Sequence, residues 1–138
     1  MDDNTLTIES ALLADIPRIV EFVVEWLQTK GLDRYIFAIE TAVDEASTNV
    51  VKHAYGGKGG FFQISCALRG TDIIVTIRDR GNKFDPNSVP LPEVVSQLED
   101  RKVGGLGIYM MKKMMDRVDY SYSDREGNRL ELIKKTSV

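Results

Sequence analysis

The chain has 138 residues, enough for one domain with a single hydrophobic core. With 43% hydrophobic and 28% charged residues, a net charge of −3 and a pI near 5.2, its composition is that of an ordinary globular protein and lacks the basic footprint of a nucleic-acid binder. One cysteine, Cys66, excludes an internal disulfide, and no signal peptide or membrane-length apolar run is visible, so a cytoplasmic protein is expected.

Leu6 and Ile8 alternate with polar neighbours and predict a short first strand. Asp15 is placed as the N-cap of a first helix, with Pro17 tolerated in its first turn. Ile16, Ile19, Val20, Val23, Val24 and Leu27 recur at helical spacing before Gly31 stops the helix. Asp33 is placed as the cap of a second helix with the stripe Ile36, Ile39, Val43, Ala46 and Val50. Gly56-Gly57-Lys58-Gly59-Gly60 breaks that helix and leads into a strand over 61–68. Arg69-Gly70-Thr71-Asp72 reads as a tight turn, so a strand over 72–79 is expected antiparallel to it. There Ile73, Val75 and Ile77 share one face, and Asp79 falls on the same core-facing parity. Burying a carboxylate alone is expensive, so Asp79 calls for a partner or a ligand. Residues 82–103 show no period and contain Pro86, Pro90 and Pro92; a connection of that length in a compact domain is more often functional than idle. Gly104-Gly105-Leu106-Gly107 opens a third helix, in which the methionines at 110, 111, 114 and 115 read as core filling. Strands over 118–123 and 129–134 follow, joined by the turn Arg125-Glu126-Gly127-Asn128. The order β-α-α-β-β-α-β-β predicts an α+β two-layer sandwich, a mostly antiparallel sheet covered on one face by three main helices.

Three pieces carry candidate chemistry. Glu45 and Asn49 are four residues apart and so project from one side of the second helix, at the margin of its apolar stripe. The Asn49 oxygen could give magnesium a neutral ligand, because magnesium at nucleotide sites takes few ligands from protein. Glu45 could accept the proton of a hydroxyl attacking a γ-phosphoryl group. Read alone, such a pair is most often two polar residues on a solvated helix flank. Asp79-x-Gly81 at a strand end suits an adenine amino group on the carboxylate with the base close to Gly81, although read alone such a pair is most often a common turn. Glycines before a helix expose amides to a phosphate or form a hinge; here the run has neither a P-loop ending nor G-x-G-x-x-G spacing. Lys52 and Lys58 could reach phosphates, with solvent exposure the default. His53 is expected to make a local hydrogen bond at the helix end.

In this order the three pieces resemble the Bergerat-fold (GHKL) ATP-binding family shared by gyrase, histidine kinases and MutL. Glu45-Ala-Ser-Thr-Asn49 matches its first box, Asp79-Arg-Gly81 its second and Gly105-Leu-Gly107 its third. Asp44-Glu45-Ala46-Ser47-Thr48-Asn49-Val50-Val51-Lys52-His53-Ala54-Tyr55 and Asp79-Arg80-Gly81-Asn82-Lys83-Phe84-Asp85-Pro86 are similar to the single-domain anti-sigma-factor serine kinases of bacterial sporulation and stress switches. The resemblance covers nearly the whole chain. It implies one ATP-binding kinase-like domain over 1–138 with a lid over 84–103, ATP and Mg2+ as cofactors, Glu45 as the catalytic base and Asn49 as the metal ligand. Around the nucleotide it implies Asn49, Lys52, Asp79, Gly81, Arg101, Gly104, Gly105, Leu106, Gly107 and Asn128. Many members place Gly-Thr at the final turn, the threonine helping to hold adenine; here Gly127 is followed by Asn128, whose amide could replace the hydroxyl. The implied function is an ATP-dependent serine protein kinase and anti-sigma-type regulator in a partner switch. Its partners would be a small anti-anti-sigma protein carrying the target serine and a sigma factor, with no direct nucleic acid, no membrane, and a homodimer left open. Arg18 in the first helix is carried over as a partner contact. The alternative is a nucleotide-gated partner-binding module with little or no kinase activity, and the presence of both Glu45 and Asn49 favours the enzyme.

Overall fold

The computed structural model describes residues 4–88 and 105–136. Strands β1 (Thr5–Ile8), β2 (Phe62–Arg69), β3 (Asp72–Asp79), β4 (Arg117–Ser123) and β5 (Gly127–Lys135) form one sheet in the order β1-β2-β3-β5-β4, and each neighbouring pair is antiparallel. Helices α1 (Ile16–Thr29), α2 (Ile36–Asn49) and α3 (Gly105–Met114) cover one face, with α2 in the middle touching both others. This is the expected two-layer α+β sandwich.

Two-residue alternation places the strand side chains. Ile73, Val75, Ile77 and Asp79 of β3 are buried under the helices beside Phe62, Ile64 and Cys66 of β2 and Leu130 and Leu132 of β5. The opposite face carries Gln63, Ser65, Thr76 and Arg78, with Arg129 and Glu131 ion-paired at 2.8 Å. Ile74 and Ile133, paired in register, form a small buried apolar island there. Cys66 is a core hydrophobe, and burial pushes its thiol up to about 12.

The helix ends follow from backbone bonding. Beyond α1, Gly31 takes a φ of 71°, Leu32 N donates to Leu27 O at 2.8 Å and Gly31 N donates to Gln28 O at 3.1 Å. Those two bonds are a Schellman stop, which needs the left-handed residue that glycine supplies without strain. Two expected caps differ. The Asp15 carboxylate turns back to accept from Leu12 N at 2.8 Å, closing a short 3-10 turn ahead of α1 without capping it. Asp33 opens another 3-10 turn, Asp33–Tyr35, and α2 begins only at Ile36.

Because α2 is sandwiched between α1 and α3, it buries Ala42, Ser47 and Asn49 as well as Ile39, Val43 and Ala46. After Asn49 it widens into a π-helical turn, Val50–Ala54, closed by Tyr55 N on Val50 O at 3.0 Å. Such a wider turn shifts the following residues sideways, and it commonly marks a functional site. Here it brings Ala54 onto the end of β3.

Candidate functional site

A cleft opens between α2 with its π turn and the ends of β3 and β5. Its walls are Ala46, Asn49, Val50, Ala54, Ile77, Phe84, Pro86, Met111, Tyr120 and Leu130, with Asp79 and Asn128 also lining it. The lining is apolar except around those last two and Asn49, a chemistry suited to a flat heterocycle with one polar edge. The cleft is narrow, with about 20 Å3 of open volume between its walls.

Asp79 is 3% exposed. Its Oδ1 accepts from Gly81 N and from Asn128 Nδ2, each at 2.8 Å. Burial raises the carboxyl above its ordinary value, and these two bonds oppose the rise. Among the described residues no donor engages Oδ2, which leaves one acceptor for a ligand. Gly81 has a reason other than the expected approach of a base: a β-carbon there would lie 2.5 Å from Ala54 O. Asn82 N donates to that same carbonyl at 2.8 Å, so glycine is what lets β3 end against the π turn.

Glu45 and Asn49 stand one turn apart on α2. Burial raises the Glu45 carboxyl, the Asp44 charge adds to this, and a hydrogen bond with Asn49 and the charge of Lys52 oppose it. The Glu45 carboxylate lies against Gly107 of α3, occupying the space a β-carbon on that residue would need. The first and third sequence motifs therefore meet at one side chain.

The remaining sequence-predicted residues divide. Lys52 is exposed on the π turn, and Gly105 and Leu106 form the first turn of α3. Arg101, Gly104 and residues 89–103 of the expected lid lie outside the described residues; within its described part, Phe84 and Pro86 wall the cleft and Pro86–Ser88 forms a 3-10 turn. Asn128 is 4% exposed and adjoins Asp79 in the sheet register. Arg18 is exposed on α1.

Three aromatic contributors were not singled out by sequence. The Phe84 ring stacks on His53, centroids 5.2 Å apart, where a local hydrogen bond of the histidine was expected; burial lowers the His53 pKa. Tyr55 OH donates to Phe61 O at 2.6 Å and accepts from Arg80 N at 2.7 Å, pinning the π turn to the starts of β2 and of the segment after β3. Tyr120 donates to Asn128 Oδ1. Its only sequence signal was its even parity with Tyr122 on β4.

The histidine kinase-like ATPase domain family matches residues 10–134. The chain belongs to this family. Among relatives, the chain is 27% identical over 97 residues to an anti-sigma F factor of Clostridium kluyveri, covering 70% of this chain and 68% of that one. It is 28% identical over 128 residues to the serine/threonine-protein kinase BtrW of Bordetella bronchiseptica, covering 90% and 89%. The histidine kinase domain of the E. coli osmosensor EnvZ superposes with a TM-score of 0.50 over 100% of this chain and 91% of that one at 15% identity, a likeness of fold. As an ATPase-family domain the chain is built to bind ATP, and among the described residues no helix is long and apolar enough to cross a membrane.

Proposed function

We propose that this chain is an ATP- and magnesium-dependent serine protein kinase that acts as an anti-sigma-type regulator in a partner switch, as the names of its relatives suggest. The observation that carries the reading is the placement of Glu45: it shares a helix side with Asn49, touches Gly107, and stands next to the cleft that holds Asp79. Adenine fits the apolar cleft with its amino group on Asp79 Oδ2. The phosphates then run toward α3, whose first amides favour an anion. Among the described residues no group of three His, Cys, Asp or Glu is arranged as a metal site. The Asn49 oxygen beside the nucleotide's own oxygens suits magnesium, which would neutralise charge on the phosphates. Lys52, Arg101 from the lid over 84–103, and Gly104 directly after it complete the proposed phosphate surroundings within a single domain.

Glu45 takes the proton of the incoming serine hydroxyl. The serine oxygen forms a bond to the γ-phosphorus as the bond to the β–γ bridging oxygen breaks, and ADP leaves with that electron pair. A pKa raised by burial brings the base nearer to working pH, where proton transfer is most effective. The serine belongs to a small anti-anti-sigma-type protein, and a sigma factor is the sequestered partner; Arg18, exposed on α1, is a contact for either. Incubation with γ-labelled ATP, magnesium and an extract of the source cells should label one serine on a small protein, and Glu45→Gln should slow that labelling by about 10²–10⁴. ATP bound with no serine labelled would overturn the kinase assignment and leave a nucleotide-gated binding module.

A further inference from the structure

The cleft's polar end is more closely specified than an aspartate in an apolar pocket. Asn128 has four hydrogen-bonding positions, and the chain itself fills all four. Its Nδ2 donates to Asp79 Oδ1 at 2.8 Å and to Asn82 O at 2.9 Å, while its Oδ1 accepts from Phe84 N at 3.1 Å and from Tyr120 OH. The amide orientation is fixed by chemistry. Asn82 O can only accept and Phe84 N can only donate, so a flipped carboxamide would place like against like at both. The register explains the convergence: Asn128 is the cross-strand partner of Asp79 on one side and of Tyr122 on the other, with Tyr120 two residues along the same face of β4.

Two consequences follow. Asn128 has no donor or acceptor left for a base, so its work is done through Asp79. Both acceptor positions of Asp79 Oδ1 are taken, by Asn128 and Gly81 N, which turns a carboxylate with two equivalent oxygens into a single free acceptor, Oδ2. The same carboxamide also holds Asn82 and Phe84, the first residues of the segment that walls the cleft.

We propose that Asn128, braced by Tyr120, is a positioning residue that sets base specificity: it fixes Asp79 as a one-oxygen acceptor for an exocyclic amino group and locks the Asn82–Phe84 wall to that acceptor. A base with an amino group at this position is accepted, and one with a carbonyl there meets acceptor against acceptor. A side chain without hydrogen-bonding groups at 128 leaves Asp79 free to rotate and the wall untied, so the amino group loses its advantage. This inference rests on the nucleotide reading above.

The test compares equilibrium binding of ATP and purine riboside triphosphate, which lacks only the 6-amino group, to the full chain with magnesium. In the wild type ATP should bind roughly ten- to a hundredfold more tightly, the worth of one hydrogen bond to a charged group. Asn128→Ala should bring that ratio to within about threefold by weakening ATP and sparing the analogue, half of the loss or less appearing in Tyr120→Phe, which removes one hydroxyl. Tyr120→Phe keeps the ring and guards against misfolding at position 128. Amide exchange at Phe84 should quicken in both variants. A purely structural role would weaken both nucleotides alike, so parallel losses, or an unchanged ratio in both variants, would overturn the proposal. A wild type that binds neither nucleotide would bring down the nucleotide reading itself, whereas one that binds both equally would leave that reading standing and overturn the proposal.

Discussion

Gly107→Ala isolates the seat of the proposed catalytic base. The added β-carbon would lie 2.0 Å from Glu45 Cδ and 2.1 and 2.2 Å from its two oxygens. A relaxed contact needs roughly 3.5–4.0 Å, so the carboxylate must withdraw by about 1.5 Å or more. Misplacing a catalytic group by about 1 Å can cost on the order of 10²-fold in rate, so single-turnover transfer should fall by about that factor. ATP affinity should stay within about threefold, because Asp79 and its partners lie on another wall of the cleft. Folding should not suffer, since alanine is the better helix former by up to about 1 kcal/mol. Rapid-quench transfer from γ-labelled ATP, calorimetric titration with ATP and a thermal melt separate the three quantities. Unaltered transfer would mean that Gly107 does not seat Glu45, and a loss of ATP affinity matching the loss of rate would make Gly107 a phosphate contact instead.

Asp79→Asn replaces half of the acceptor edge with a donor and should lower ATP affinity by roughly one to two decades in calorimetry. Glu45→Gln should raise stability at neutral pH. The folded-state carboxyl pKa lies above the unfolded value of 4.5, so this group's contribution is fully present below pH 4.5 and is lost as pH rises through the folded value. Urea melts of both proteins should therefore diverge at pH 7 and converge below pH 4.5. Gly81→Ala should destabilise the fold by about 1–3 kcal/mol, read by chemical denaturation, because the Ala54 carbonyl already fills the space. Cys66, with no exposed surface and a thiol pushed up to about 12, should resist disulfide-exchange reagents in the native state and react promptly in denaturant.

The placement of Asp79 was legible in the sequence because parity along a strand is a local property: once Ile73, Val75 and Ile77 face the core, the fourth residue of that series must too. The Glu45–Asn49 pair was legible for the same kind of reason, since four residues return to one side of a helix. What could not be read depended on neighbours distant in the chain. Asp15 and Asp33 have good cap chemistry, yet a tight 3-10 turn precedes each helix and takes up the aspartate. The π turn at Val50–Ala54 leaves no compositional trace, and Gly81 is required by Ala54, which only the folded chain brings to it. Tyr120 and Asn128 lie eight residues apart on paired strands, and the hydroxyl-to-amide bond between them needs the β4–β5 register to exist before it can be named.

In the proposed mechanism Glu45 moves the proton while other residues hold the nucleotide. The most direct test is single-turnover phosphoryl transfer to the target serine by Glu45→Gln, with ATP affinity measured on the same sample. General-base assistance contributes about 10²–10⁴ in rate, so transfer should fall on that scale while ATP binds as tightly as before or slightly more so. Near-normal transfer, or a loss confined to ATP binding, would remove Glu45 from the catalytic role.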